Sequence, residues 1–229
     1  MGFSLHRSRY LSLLLLCAAV GLGADRKPGE LKGWGVFTDP PRESRIEIKN
    51  NVLVMKAPNE YVDNFNTTTA PRVMQDASGD FTAQVTVLNV EESRPNTVLA
   101  SLRGFPTACH SGTLLVRADD RNFVRLEHMN SCRDEPQSRC YLHVYRQGKL
   151  AYHNQFDIKD MPTQLKLRRE GKMIVGSFSQ DDGTSWKDFE PADVAFLPKQ
   201  VEVGVSMTSN TKPGATVVFE AFTLSEAGK

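Results

Sequence analysis

Gly112-Thr113-Leu114-Leu115-Val116-Arg117-Ala118-Asp119-Asp120-Arg121-Asn122-Phe123-Val124-Arg125-Leu126-Glu127 reads as strand, turn, strand. Two β-branched and aliphatic runs flank Asp119-Asp120-Arg121-Asn122, whose side chains can bond their own backbone and tolerate turn geometry. Period 2 sorts the runs into faces: Leu114 and Val116 share one side, Leu115 and Arg117 the other. On the second run Val124 and Leu126 lie opposite Arg125 and Glu127. One face is apolar and the other mixed, as in a sheet covered on one side.

The same pattern extends in both directions. Upstream, Ile46-Glu47-Ile48 and Val52 to Met55 flank Asn50-Asn51, a hairpin turn, and Phe81, Ala83, Val85 and Val87 alternate with polar residues. Downstream, Leu142 and Val144 alternate with Tyr141, His143 and Tyr145, and Gly148 marks a turn before Leu150 to Phe156. Leu165 to Leu167, Ile174 to Phe178, Val201 to Val205 and Val217 to Leu224 follow. No amphipathic run of helical period exceeds about three turns. Roughly a dozen short strands with no repeat and no Pro-rich linker predict one all-β domain, a two-sheet antiparallel sandwich.

The chain has 229 residues, 28 Lys+Arg and 27 Asp+Glu, a balance that excludes nucleic-acid binding driven by bulk charge. Residues 1–24 carry Arg7 and Arg9, an apolar run from Leu11 to Leu22 and a small-residue exit ending at Ala24. That is a signal-peptide layout, with an apolar run too short to span a bilayer comfortably. The expected mature protein is residues 25–229, exported to the periplasm or outside the cell, formally −1, monomeric and without a membrane span. Cys17 follows Leu16, where a lipoprotein signal would have a small residue. Asn66-Thr67-Thr68 is a glycosylation sequon, relevant in a eukaryotic secretory pathway.

Three stretches together resemble the concanavalin A-like jelly-roll domains that accompany β-xylosidase-type glycoside hydrolases and also occur as stand-alone secreted proteins. They are Ala70 to Gln75 with Gly79-Asp80-Phe81-Thr82, the Gly112–Glu127 hairpin, and Leu165 to Gly171 followed by Phe178 to Trp186. The resemblance runs from about Trp34 to Leu224 and implies a jelly roll. Function does not follow from it, because this fold hosts lectins, hydrolases and inert spacers.

Jelly-roll glucanases carry two Glu and an Asp alternating on one strand, which places their carboxylates together for retaining chemistry. Here Glu127 stands without a partner two residues away, and Glu91-Glu92 point to opposite faces. The binding candidate is therefore the polar sheet face, where Arg117, Arg125, Glu127, His143 and Tyr145 form a band that Tyr152 extends. A jelly roll bends one sheet into a concave face, so the expectation is a non-catalytic glycan-binding module. The alternatives are a jelly-roll hydrolase using Glu127 and a structural or protein-interaction domain of the cell envelope.

Cys109, Cys132 and Cys140 remain after signal removal, an odd number that allows one bridge. Cys132–Cys140, at the feet of the Ser131–Arg139 loop, is the preferred disulfide and Cys109–Cys132 the second. A zinc site from Cys109, His110, Cys132 and Cys140 is the alternative, though no C-x-x-C pair supports it. Asp39, Asp63, Asp76 and Asp80 are calcium candidates without a dense D-x-D-x-D loop. Ser179-Gln180-Asp181-Asp182-Gly183-Thr184-Ser185-Trp186 matches S-x-D-x-G-x-x-W, the Asp-box pattern, in a single copy. Its turn chemistry favours a structural hairpin over a sugar platform on Trp186.

Overall fold

The computed structural model describes residues 29–39, 44–57, 70–92, 108–132, 135–211 and 214–227. Among these are sixteen strands and no helix. One sheet runs β1 (Glu30–Leu31), β2 (Gly35–Thr38), β5 (Arg72–Ser78), β15 (Gln200–Ser209), β7 (Ala108–Asp119), β8 (Asn122–Cys132), β9 (Pro136–Arg146) and β10 (Lys149–Ile158). The other runs β13 (Lys187–Asp188), β12 (Met173–Ser179), β11 (Thr163–Glu170), β6 (Phe81–Val90), β16 (Ala215–Glu226), β4 (Val52–Ala57) and β3 (Arg45–Lys49), with β14 (Ala192–Asp193) paired to β12. Late strands β15 and β16 insert between early ones, so the fold is a two-sheet antiparallel jelly-roll sandwich.

Alternation places the core as the sequence predicts. Leu114, Val116, Val124, Leu126, Leu142 and Val144 from the first sheet meet Leu53, Met55, Val85, Val87, Val217 and Phe219 from the second. Burying an aliphatic or aromatic side chain of this size contributes about 1.5–3 kcal/mol. The turns follow their local chemistry as well. Asn50 and Asn51 both have positive φ (51° and 62°), the primed-turn geometry that matches strand twist between β3 and β4. The Asp119 carboxylate accepts from the Arg121 amide (2.7 Å) and from Asn122 Nδ2 (2.9 Å), which closes the β7–β8 hairpin.

The Ser179–Trp186 turn is held by its own polar atoms. Asp181 accepts from the Ser185 amide (2.9 Å) and hydroxyl (2.6 Å), and Ser179 Oγ accepts from the Gly183 amide (3.0 Å). Gly183 takes φ +80°, and Trp186 Nε1 donates to its carbonyl at 3.1 Å. Lys166 Nζ lies 3.5 Å from the Trp186 ring centroid, so a protein cation already occupies one indole face.

The expected Cys132–Cys140 bridge is corrected by the register. Strand β8 continues through Cys132 and β9 begins at Pro136, so the connection is far shorter than the Ser131–Arg139 loop read from sequence. Cys132 pairs with Pro136 and Cys140 with His128. Four residues of strand separate the two cysteines, about 14 Å along the sheet, beyond the roughly 7 Å Cα limit for a disulfide. Cys109 pairs with Ser131 and takes the opposite face from Cys132, which removes the second pairing too. All three are free thiols, and burial pushes Cys109 up to about 12. No group of three or more His, Cys, Asp or Glu able to hold a metal occurs among the described residues. Asp80 accepts from the Gly171 amide (2.7 Å) and Asp39 from the Ser44 amide (2.7 Å). Residues 1–24, Asp63 and Asn66 lie outside the described residues.

Two buried histidines make stability pH-dependent. His110 is satisfied at both ring nitrogens, by the Glu91 carbonyl (2.8 Å) and Thr211 Oγ1 (2.6 Å). His128, 1% exposed and facing the core opposite Cys140, has no hydrogen-bond partner of acceptable geometry at either nitrogen. Burial lowers both from their ordinary value of 6.5, so both fold neutral. The unfolded chain takes up these protons first as pH falls. Their contribution is therefore complete above pH 6.5 and lost progressively below it, toward the lowered folded values. His128→Leu removes a buried imidazole whose nitrogens lack well-formed hydrogen bonds, a change worth about 1–3 kcal/mol at similar volume. Thermal melts at pH 7 should show a gain of about 2–4 °C or more. Melts at pH 5.5 and 7 should also show a smaller acid-induced drop than in wild type.

Candidate functional site

The five residues singled out from the sequence fall on one face of the sheet that contains β5, β15, β7, β8, β9 and β10, the face turned away from the second sheet. Registers define its rows. One row is Gly204, Leu115, Arg125, His143 and His153 across β15, β7, β8, β9 and β10. A neighbouring row is Ser206, Thr113, Glu127, Tyr141 and Gln155, and on the other side lie Glu202, Arg117, Phe123, Tyr145 and Leu150. Strand phase alone puts these side chains together, since residues two apart share a face.

At the centre is a buried charge pair. Arg125 Nη2 donates to both Glu127 oxygens, at 2.7 and 2.8 Å, and Nε donates to Oε1 at 3.2 Å. Glu127 is fully buried and Arg125 is 5% exposed. Burial pushes the Glu127 carboxyl up, but the adjacent guanidinium and the His143 hydrogen bond outweigh it and hold the group at about 2. The ionised carboxylate accepts from His143 Nδ1 at 2.8 Å. Nδ1 therefore carries the proton, and in the neutral ring Nε2 keeps the lone pair.

Tyr145 lies on the expected face yet is not available to a ligand. It is 1% exposed and stacks on Phe123 at 4.6 Å, with Leu115 and Met74 completing a small apolar cluster separate from the main core. Arg117 sits toward the rim, paired with Asp120 (2.7 Å) and Glu202.

The accessible part of the face lies on β9 and β10. Tyr141, His143 and His153 form a set of near-parallel rings. Centroids are 5.2 Å apart for Tyr141–His143, 5.7 Å for Tyr141–His153 and 4.8 Å for His143–His153, with interplanar angles of 19°, 30° and 15°. Tyr141 is half-buried, and His153 and Gln155 are exposed. Partial burial and the neighbouring His143 push His153 down from its ordinary 6.5, so it is neutral at pH 7. Beside the rings, Arg139 Nε donates to Asp157 at 2.9 Å.

Sequence reasoning expected Tyr152 to extend the band and missed His153 and Gln155. A bulge between Leu150 and Tyr152 shifts the phase of β10, so that His153 rather than Tyr152 reaches the row of His143. Tyr152 instead pairs opposite Val144, packs against the core, and donates its hydroxyl to the Glu190 carbonyl at 3.1 Å. Simple alternation from Leu150 carries no mark of the extra residue.

The chain has a jelly-roll fold, like the concanavalin A-like domains it resembles in sequence, and solved structures share that fold. A functionally unknown protein from Saccharomyces cerevisiae superposes with TM-score 0.63 at 14% identity, covering 86% of this chain and 98% of that one. Xylan β-1,4-xylosidase from Bacillus halodurans C-125 matches with TM-score 0.54 at 10% identity over 88% of this chain, which spans only 40% of that enzyme. Carbohydrate-binding module CBM66 from Bacillus subtilis matches with TM-score 0.50 at 10% identity, covering 85% and 98%. At these identities the likeness is one of fold. No protein-family model matches the chain, and no curated protein matches it.

Proposed function

We propose that the mature chain, residues 25–229, is an exported, monomeric, single-domain module that binds a glycan without cleaving it. Its ligand lies on the outer face of the sheet, against Tyr141, His143 and His153. The observation that carries this reading is the ring set itself, near-parallel rings on a sheet face of which Tyr141 and His153 reach solvent while His143, 8% exposed, packs against both. Arg125 and Glu127 hold His143 from beneath, and Arg117 frames the rim. Export rests on the signal-peptide layout of residues 1–24, and the carbohydrate class rests on the kind of fold. Among the similar structures are a carbohydrate-binding module and a xylosidase.

A hydrolase using Glu127 as its acid is disfavoured by that residue's surroundings. A fully buried carboxyl held at about 2 donates no proton near neutral pH. A protein-interaction role has one observation in its favour: the Tyr145 end of the face is filled by its own side chains.

The test is a broad glycan array, with and without calcium, followed by affinity measurement on any hit. Tyr141→Ala and His153→Ala should each weaken binding about five- to tenfold while the circular dichroism stays native, since loss of a stacking ring removes about 1–1.5 kcal/mol. Undiminished affinity in both variants would remove the site assignment, and a blank array with folded protein would favour the protein-interaction role.

A further inference from the structure

We infer that the face takes a neutral saccharide rather than a uronate-bearing or sulfated one. This rests on the glycan-binding reading and adds the chemical class of its ligand. Anionic sugars are recognised by guanidinium or ammonium groups that can turn a fork of donors toward them. On this face Arg125, Arg139 and Arg117 each already donate to a protein carboxylate. An incoming carboxylate or sulfate would have to approach a guanidinium whose charge a protein carboxylate already balances.

The orientation of the two partly exposed pairs matters more than their presence. In Arg139–Asp157 the arginine side chain is 29% exposed and the aspartate 85%. In Arg117–Glu202 the values are 14% and 42%. The guanidinium is thus the inner partner and the carboxylate the outer one, and what meets a ligand is acceptor oxygen. Sugar hydroxyls donate to such oxygens, whereas a ligand anion is repelled by them. Asp157 lies on the same face of β10 as His153 and Gln155, close enough in the row sequence to contact a sugar stacked on the rings. The platform itself adds no positive charge at pH 7 from His153, whose surroundings disfavour protonation.

Titration calorimetry of the intact mature protein tests this with neutral hexose and pentose oligomers, galacturonate and alginate oligomers, and sulfated oligomers, each at 50 and 300 mM salt. A neutral oligomer should bind saturably with less than about a twofold change between the two salts. The anionic series should bind at least tenfold more weakly. Asp157→Ala, which removes the acceptor of Arg139 without changing the rings, should narrow that gap. An anionic oligomer that binds more tightly than the neutral ones, with affinity falling as salt rises, would overturn the inference and leave the binding face standing. Failure of every series to bind the folded protein would overturn the binding reading and this inference with it.

Discussion

Arg125→Leu is expected to destabilise the fold by about 3–5 kcal/mol at pH 7, because it leaves Glu127 charged and buried beside a single imidazole. The guanidinium supplies three of the four short contacts to that carboxylate, and no solvent reaches the group. The sign of the pH dependence follows from the folded value. In the native protein Glu127 sits at about 2 against an ordinary 4.5, so its stabilisation is complete above pH 4.5 and fades as pH falls toward 2. Without Arg125, burial dominates and raises the carboxyl above its unfolded value. The charged form then opposes folding at neutral pH and ceases to do so once the group takes up a proton. Urea titrations at pH 7 and 4 should therefore show a large deficit at the first pH and a smaller one at the second. The double variant Arg125→Leu/Glu127→Leu should recover most of the loss, since replacing both members of a buried pair by apolar groups is often near neutral. A deficit below about 1 kcal/mol at pH 7 would mean that the pair is not buried as described.

Gly204→Val should be at least as damaging, for a reason of pure geometry. Gly204 pairs with Met74 where β15 meets β5. A Cβ at this position would stand 2.0 Å from the Val73 carbonyl oxygen and 2.8 Å from Met74 Cα. Both obstacles are backbone, so no rotamer change relieves them. The two strands must part, and that ladder is what joins β1, β2 and β5 to the rest of the sheet. The expected loss is about 3 kcal/mol or more, at or beyond the usual range for overpacking. It would be read as a lowered urea midpoint or as failure to accumulate folded protein. Gly171→Ala is the matched control, because nothing lies within 4 Å of its Cβ position although its φ is +57°. It should cost only about 1 kcal/mol, the penalty for an L residue in the left-handed region. Similar, small losses from both substitutions would contradict the close strand approach.

The strands of the central hairpins were legible because period 2 holds within Leu114–Arg117, Phe123–Glu127 and Tyr141–Tyr145, and so was the sharing of one face by Arg117, Arg125, Glu127, His143 and Tyr145. What the pattern does not contain is depth. Tyr145 and Glu127 read as surface residues by alternation, but Phe123, Leu115 and Arg125 enclose them. Nor does it contain a bulge: one extra residue in β10 exchanged Tyr152 for His153 on the face. The cysteine prediction failed for a related reason. It placed a loop where β8 and β9 continue as paired strand, and a polar stretch such as Pro136-Gln137-Ser138-Arg139 carries no apolar alternation to reveal that. Short strands such as β1, β13 and β14, two residues each, lie below what periodicity can register.

The central claim of the binding reading is that a saccharide rests against the exposed His153 ring and Tyr141, with buried His143 packed against both. Long-range 1H–15N correlation of the imidazole nitrogens during titration with an oligosaccharide found to bind examines it most directly. The His153 resonances should shift saturably and those of His143, in ring contact with His153, should follow, with His143 Nδ1 remaining protonated against Glu127 while His110 and His128, away from this face, stay unmoved. Saturable binding that leaves His143 and His153 unshifted would place the ligand elsewhere and contradict it.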